Sequence, residues 1–137
     1  MNRLHGTIAA VESNDHLALV EVDVGATRFT AILLETPQDV EYLAAGRAVT
    51  LQFKETEVSL ARDLRGQISL RNRFPVTVTA IRRGAILSQV NLDFEGAPLQ
   101  SVVTTRSIAG MAIEPGDRLE ALVKSNAMSL MEADGEL

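Results

Sequence analysis

The chain of 137 residues has no cysteine, no tryptophan, one tyrosine and four phenylalanines. Without thiols it has neither a disulfide nor a thiolate metal site. With aromatics at 4%, its core must be built from Val, Leu, Ile, Ala and Met, and platforms for stacking nucleobases are scarce. Positive charge is also short. Thirteen Lys and Arg against eighteen Asp and Glu leave a net charge of −5, without the basic footprint of a nucleic-acid binder. A small anion is not excluded, because its site needs only local positive potential. No run of about 20 apolar residues is available to span a membrane. The early run Ile8-Ala9-Ala10-Val11 stops at Glu12 and is no signal peptide. A cytoplasmic protein without membrane insertion or nucleic-acid partner is the expectation. Catalytic signatures are missing too: there is no G-x-S-x-G, no glycine-rich phosphate loop and no H-E-x-x-H. Glu55, Glu57 and Asp63 form no acid–base dyad, and His5 and His16 are lone residues rather than metal ligands. No catalytic residue, direct metal ligand or cofactor is assigned, and the chain is not expected to be an enzyme.

What is present is a duplication. At an offset of seventy positions, Asn2-Arg3 falls on Asn72-Arg73, Gly46 on Gly116, Lys54 on Lys124 and Ser59-Leu60 on Ser129-Leu130. Thr7, Ala10, Leu17, Val20 and Asp23 also meet their like, and no gap is needed. A period this long means two copies of a small domain rather than a superhelical array. A domain of about sixty residues buries only roughly 60% of its unfolded surface. Packing copy on copy, and chain on chain, is the route left to sufficient burial.

Each copy reads mainly as strand. Leu17 to Val24 alternates with period two, and turn residues separate it from the runs Leu4–Val11 and Arg28–Leu34. Thr36-Pro37 then signals a helix start, with Gly46 at its end. Ala48–Lys54 and Glu57–Leu60 complete the first copy. The second repeats the order with Arg73–Ile81, Ile86–Phe94, Leu99–Val103, a helix from Thr104-Thr105 to Met111, Arg118–Lys124 and Ala127–Met131. The expected fold is all-β: two tandem OB-like Greek-key barrels, each with one short helix after the third strand. An SH3-like barrel is the competing pattern. The expected domains are 1–62 and 69–133, joined by a short segment, 63–68, that keeps them in contact, with a polar tail at 134–137.

Several second-copy segments resemble a known family. Ser69-Leu70-Arg71-Asn72 is similar to the S-x-R-N opening of molybdate-binding Mop domains, part of the wider TOBE group. Val103-Thr104-Thr105-Arg106-Ser107 resembles the family's V/I-T-x-x-S segment. Pro115-Gly116-Asp117 is like its glycine turn, and Leu122-Val123-Lys124-Ser125 like its strand end. The resemblance covers Ile68 to Met131, and Asn2 to Ala61 more weakly through the repeat. It implies a Mop/TOBE fold and binding of molybdate or tungstate at subunit interfaces, with Ser69 and Arg71 from one subunit; Asn72 and Thr105 are further oxyanion-binding candidates. Thr104, Ser107, Lys124 and the backbone at Ser125 would come from a neighbour, in a homotrimer. A transporter ATPase is the partner implied by relatives that carry such domains as regulatory attachments. The chemistry agrees: a tetrahedral dianion offers only acceptors, and Ser, Thr, Arg, Lys and backbone N–H groups supply donors. A helix start near Thr104 to Ser107 would add oriented N–H groups.

The first copy departs from this pattern. Leu34, Glu35 and Pro37 stand where the second copy has Thr104, Thr105 and Ser107. Three donors have become an apolar group, an acid and an imino ring. No S-x-R precedes Asn2-Arg3, and Lys54 is the one donor kept, as a possible secondary site. The first copy is therefore expected to be a structural copy. Roughly half the anion sites of a symmetric two-copy relative should remain.

Overall fold

The structure is a computed structural model in which residues 1–133 are described. The polar tail expected at 134–137 lies outside them. Ten strands form two five-stranded antiparallel sheets. The first repeat supplies β1 (Asn2–Ser13), β2 (Ala18–Val24), β3 (Thr27–Leu33), β4 (Ala48–Phe53) and β5 (Ser59–Ala61). The second supplies β6 (Asn72–Arg82), β7 (Leu87–Phe94), β8 (Ala97–Thr104), β9 (Arg118–Val123) and β10 (Ser129–Glu132), with one helix, α1 (Thr105–Met111). The helix between third and fourth strands is the OB-like arrangement rather than the SH3-like one.

The final strands are exchanged. The first sheet runs β10-β4-β1-β2-β3 and the second β5-β9-β6-β7-β8. Each repeat thus lends its last strand to the other's sheet, in equivalent registers: Ser129 faces Gln52, and Ser59 faces Leu122. Single 3-10 turns at Glu55–Glu57 and Ser125–Ala127 carry the chain across.

The duplicated glycines have a shared geometry. Gly46 and Gly116 have φ of 91° and 94°, a region where a side chain is strained. Their N–H groups bond the carbonyls of Ile8 and Val78 at 2.8 and 2.7 Å. Both first strands bulge just past that point, between Ile8 and Ala10 and between Val78 and Ala80. Such a bulge bends the strand and increases its twist.

The helix expected from Thr36 to Gly46 does not form. The Val40 N–H reaches the Thr36 carbonyl, but the chain continues in turns. The Thr36 hydroxyl donates to Asp39 Oδ2 at 3.1 Å instead of capping a backbone N–H. The second repeat's helix is anchored by Ile108, which is 1% exposed. Its counterpart is the exposed Gln38, so a helix at this place would lack that first-turn anchor, and Leu43 reaches the core from turns instead.

One apolar core runs through both repeats. Its centre holds all four phenylalanines, none more than 1% exposed. Phe29 and Phe53 come from the first repeat, and Phe74 and Phe94 from the second. Their rings meet edge to face, with centroids 5.0 Å apart for Phe29–Phe74 and 5.1 Å for Phe74–Phe94. Tyr42 adds an outer tie, its hydroxyl donating to the Leu130 carbonyl at 3.2 Å. Burial, with the nearby Glu35 and Glu132, pushes its pKa up, so the phenol keeps that proton.

Candidate functional site

Asn72 belongs to the fold rather than to the anion donors with which its motif groups it. It is 1% exposed. Its Oδ1 accepts from the Thr30 N–H at 2.7 Å, and its Nδ2 donates to the Thr30 carbonyl at 2.9 Å. Asn2 does the same for the N–H and carbonyl of Gln100, both at 2.8 Å. Each amide clamps the free edge of the other repeat's third strand. Retention of Asn in both repeats, although the first keeps only Lys54 of the other donors, is the sequence signal for this role. Asn72→Ala should lower stability by about 2 kcal/mol, because it strips two partly buried backbone groups of partners. A denaturant titration checks this, and a change near zero would remove the clamp.

Thr105 is also occupied within the chain. Its hydroxyl donates to the Gly84 carbonyl at 2.8 Å and lies 2.7 Å from Ser88 Oγ, while its N–H bonds the Ile86 carbonyl. It ties α1 to the β6–β7 turn, and its one hydroxyl proton is used there.

The remaining donors are accessible. Asn72 pairs with Val123, so the register sets Arg71 and Lys124 side by side, one residue beyond the ladder. Both are exposed. Among the described residues neither pairs with a carboxylate. By contrast, neighbouring Arg73 is held by Glu120 at 2.9 Å, which raises its pKa. Arg71 and Ser125 line one side of a cleft of about 470 Å³, whose other side is the outer face of the first repeat, with Thr30 and Ile32. Glu12 and Glu21 also line it. Their charge opposes a dianion, so this cleft in a single chain is not a finished anion seat.

Thr104 and Ser107 lie elsewhere, at the start of α1. Thr104 is its N-cap, accepting from the Ser107 N–H at 3.1 Å, and the two hydroxyls are 2.7 Å apart. Both residues are exposed. Ser107 lines a separate cleft of about 210 Å³ with Ser59, Leu60 and Met111. Exposed Ser69 lines a third beside Gly66 and Arg73. One chain thus sets Arg71 beside Ser125 and, by the β6–β9 register, Lys124, although the resemblance assigns Arg71 to a different subunit from Lys124 and Ser125; it does not bring Thr104, Ser107 or Ser69 there. In the first repeat Leu34 is 82% exposed where Thr104 stands in the second, and Glu35, Pro37 and Lys54 are also exposed. Among the described residues no three His, Cys, Asp or Glu gather as cation ligands, and no helix is long and apolar enough to cross a membrane.

Comparison with known proteins finds the TOBE domain family matching twice, over residues 1–60 and 68–130. The chain is 35% identical over 123 residues to the molybdenum import ATP-binding protein ModC of Brucella abortus (strain 2308), covering 89% of this chain and 32% of that protein. It is 36% identical over 97 residues to the molybdenum-pterin-binding protein MopB of Rhodobacter capsulatus, covering 66% and 36%. The chain thus spans about a third of the length of these curated relatives. Among solved structures it superposes on the cytoplasmic molybdate-binding protein ModG in its molybdate-bound form. The TM-score is 0.88, with 29% identity and coverage of 94% of both chains.

Proposed function

Since this chain is a two-copy member of the TOBE-domain family, we propose that it binds molybdate or tungstate reversibly, without catalysis, at sites completed by a second copy of the chain. The observation that carries this reading is the pair Arg71 and Lys124. By the register they are adjacent cations just past the paired ends of β6 and β9, exposed, with no carboxylate partner among the described residues. Two positive charges match a dianion, and Ser125 lines the same cleft as Arg71. The hydroxyls of Thr104 and Ser107 and the segment at Ser69 are the remaining donors. They lie apart in one chain, and an interface could unite them. The molybdate-bound ModG, similar over 94% of both chains, supports the ligand. Its role would be intracellular storage, homeostasis or sensing of the oxyanion, in a homotrimer.

A second reading has its own support. The match to ModC covers most of this chain but only 32% of that ATP-binding protein. A free-standing regulatory module that docks on a transporter ATPase or a regulator would carry this domain pair without needing an anion.

Calorimetric titration with molybdate, tungstate and sulfate, paired with native mass spectrometry, separates the two. Binding of the metal oxyanions to a trimer, in multiples of three and with sulfate much weaker, is the expected result. No heat from either metal oxyanion at high micromolar concentration would sink the first reading. A monomer with and without ligand would remove the interface mechanism.

A further inference from the structure

The exchanged strands end in opposite charges at equivalent positions. β5 is followed directly by Arg62, and β10 ends on Glu132, seventy positions later. Arg62 Nη2 lies 2.7 Å from Asp117 Oδ2 in the second sheet. In the first, Arg47 Nη2 lies 3.0 Å from Glu132 Oε2. Arg47 and Asp117 are themselves seventy apart. The same two places in the repeat thus hold loop Arg with strand Glu in one sheet, and loop Asp with strand Arg in the other.

We propose that this reversal selects which closing strand enters which sheet. The backbone does not choose. β10 on β4 and β5 on β9 have the same register, residue for residue: Leu130 faces Leu51 and Leu60 faces Ala121, each seventy from its counterpart. The segment between β4 and β5, Lys54 to Val58, is long enough for a hairpin that would return β5 to its own sheet. Nor do the main side chains choose, because Ser59-Leu60 and Ser129-Leu130 are identical. The Tyr42 hydroxyl bonds a backbone carbonyl at Leu130, a group that Leu60 would offer equally. Ala61 and Met131 differ, but Met131 is 48% exposed. Val58 and Met128, just before the two strands, are both buried and differ only as apolar groups of unlike size. The difference that changes sign is charge. If each repeat closed on itself, Arg62 would meet Arg47, and Glu132 would meet Asp117. Two attractions would become two repulsions. Each exposed pair is weak alone, but the choice between topologies feels all four differences at once, as in other charge-selected pairings. The consequence is one cooperative body, with each sheet completed by the other repeat.

The test uses the full chain, whose lack of cysteine gives a clean background. Gln52→Cys with Ser129→Cys reports the exchanged topology, because these residues face one another. Gln52→Cys with Ser59→Cys reports self-closure. After refolding and mild oxidation, natural charges should give the first cross-link and little of the second. Adding Arg62→Glu and Glu132→Arg should raise the ratio of self-closed to exchanged cross-link at least about tenfold. Reversing all four charges, with Arg47→Glu and Asp117→Arg as well, should restore the natural ratio. An unchanged ratio in the two-charge reversal would overturn the proposal. Should that variant aggregate instead, recovery of the exchanged cross-link in the four-charge reversal supports the selection, and continued aggregation overturns it.

Discussion

Phe74→Ala is expected to destabilise both repeats together, by about 3–5 kcal/mol. Phe74 is fully buried and touches the other three phenylalanines, with ring centroids at 5.0 Å to Phe29, 5.1 Å to Phe94 and 6.5 Å to Phe53. Phe29 and Phe53 belong to β3 and β4 of the first repeat, while Phe74 and Phe94 belong to β6 and β7 of the second. Truncation removes the central ring of this junction and leaves a cavity bounded by strands that cannot collapse independently. The surrounding core is largely Val, Leu, Ile and Ala, which cannot reach across the gap. The edge-to-face contacts are lost in addition to the buried area. Because each sheet also depends on a strand from the other repeat, the transition should remain single. Circular dichroism and calorimetry during thermal unfolding should therefore give one cooperative step at lower temperature. Two separate steps, with the first repeat unaffected, would contradict the shared core.

The strands and turns were legible in the sequence because they follow local rules. Period-two alternation marks β2, and the paired glycines at 46 and 116 mark turns with positive φ. The features that join the repeats were not legible, because they depend on which partner a segment meets. Ser59-Leu60 and Ser129-Leu130 are the same dipeptide, so pattern alone cannot say that each enters the other's sheet. The Thr-Pro start in the first repeat signals a helix that does not form, since that signal carries no information about tertiary partners. Gln38 in the place of Ile108 was the contrary sign. Asn72 was grouped with Ser69 and Arg71 by motif, while its amide is directed to Thr30 on a strand 42 residues away. Thr105 likewise has a typical donor side chain, but its proton goes to the Gly84 carbonyl. Local chemistry names candidate donors by type, and tertiary contacts decide which of them remain accessible.

If the proposed oxyanion function holds, Lys124→Met and Arg71→Ala should each weaken molybdate binding by about 10- to 150-fold, the equivalent of one charge-assisted hydrogen bond. Lys54→Met should change it by less than about threefold. The contrast follows from the surroundings of two lysines at equivalent positions. Lys124 stands beside Arg71, and the second repeat also carries exposed hydroxyls at Thr104 and Ser107. Lys54 belongs to a repeat where those positions are Leu34, 82% exposed, and Pro37, which has no N–H to donate. Glu35 and Glu55 add negative charge nearby in sequence, which opposes a dianion. A lone lysine in water attracts an anion weakly, and salt screens it over about 10 Å. Converging donors are therefore needed for useful affinity, and only the second repeat keeps them. Calorimetric titration of the three variants at fixed ionic strength reads both affinity and stoichiometry. Equal losses from Lys54→Met and Lys124→Met would mean that both repeats bind, and the asymmetry between them would fall. Loss from Lys124→Met alone, with about half the sites of a symmetric two-copy relative, would assign the second repeat as the binding half and the first as its scaffold.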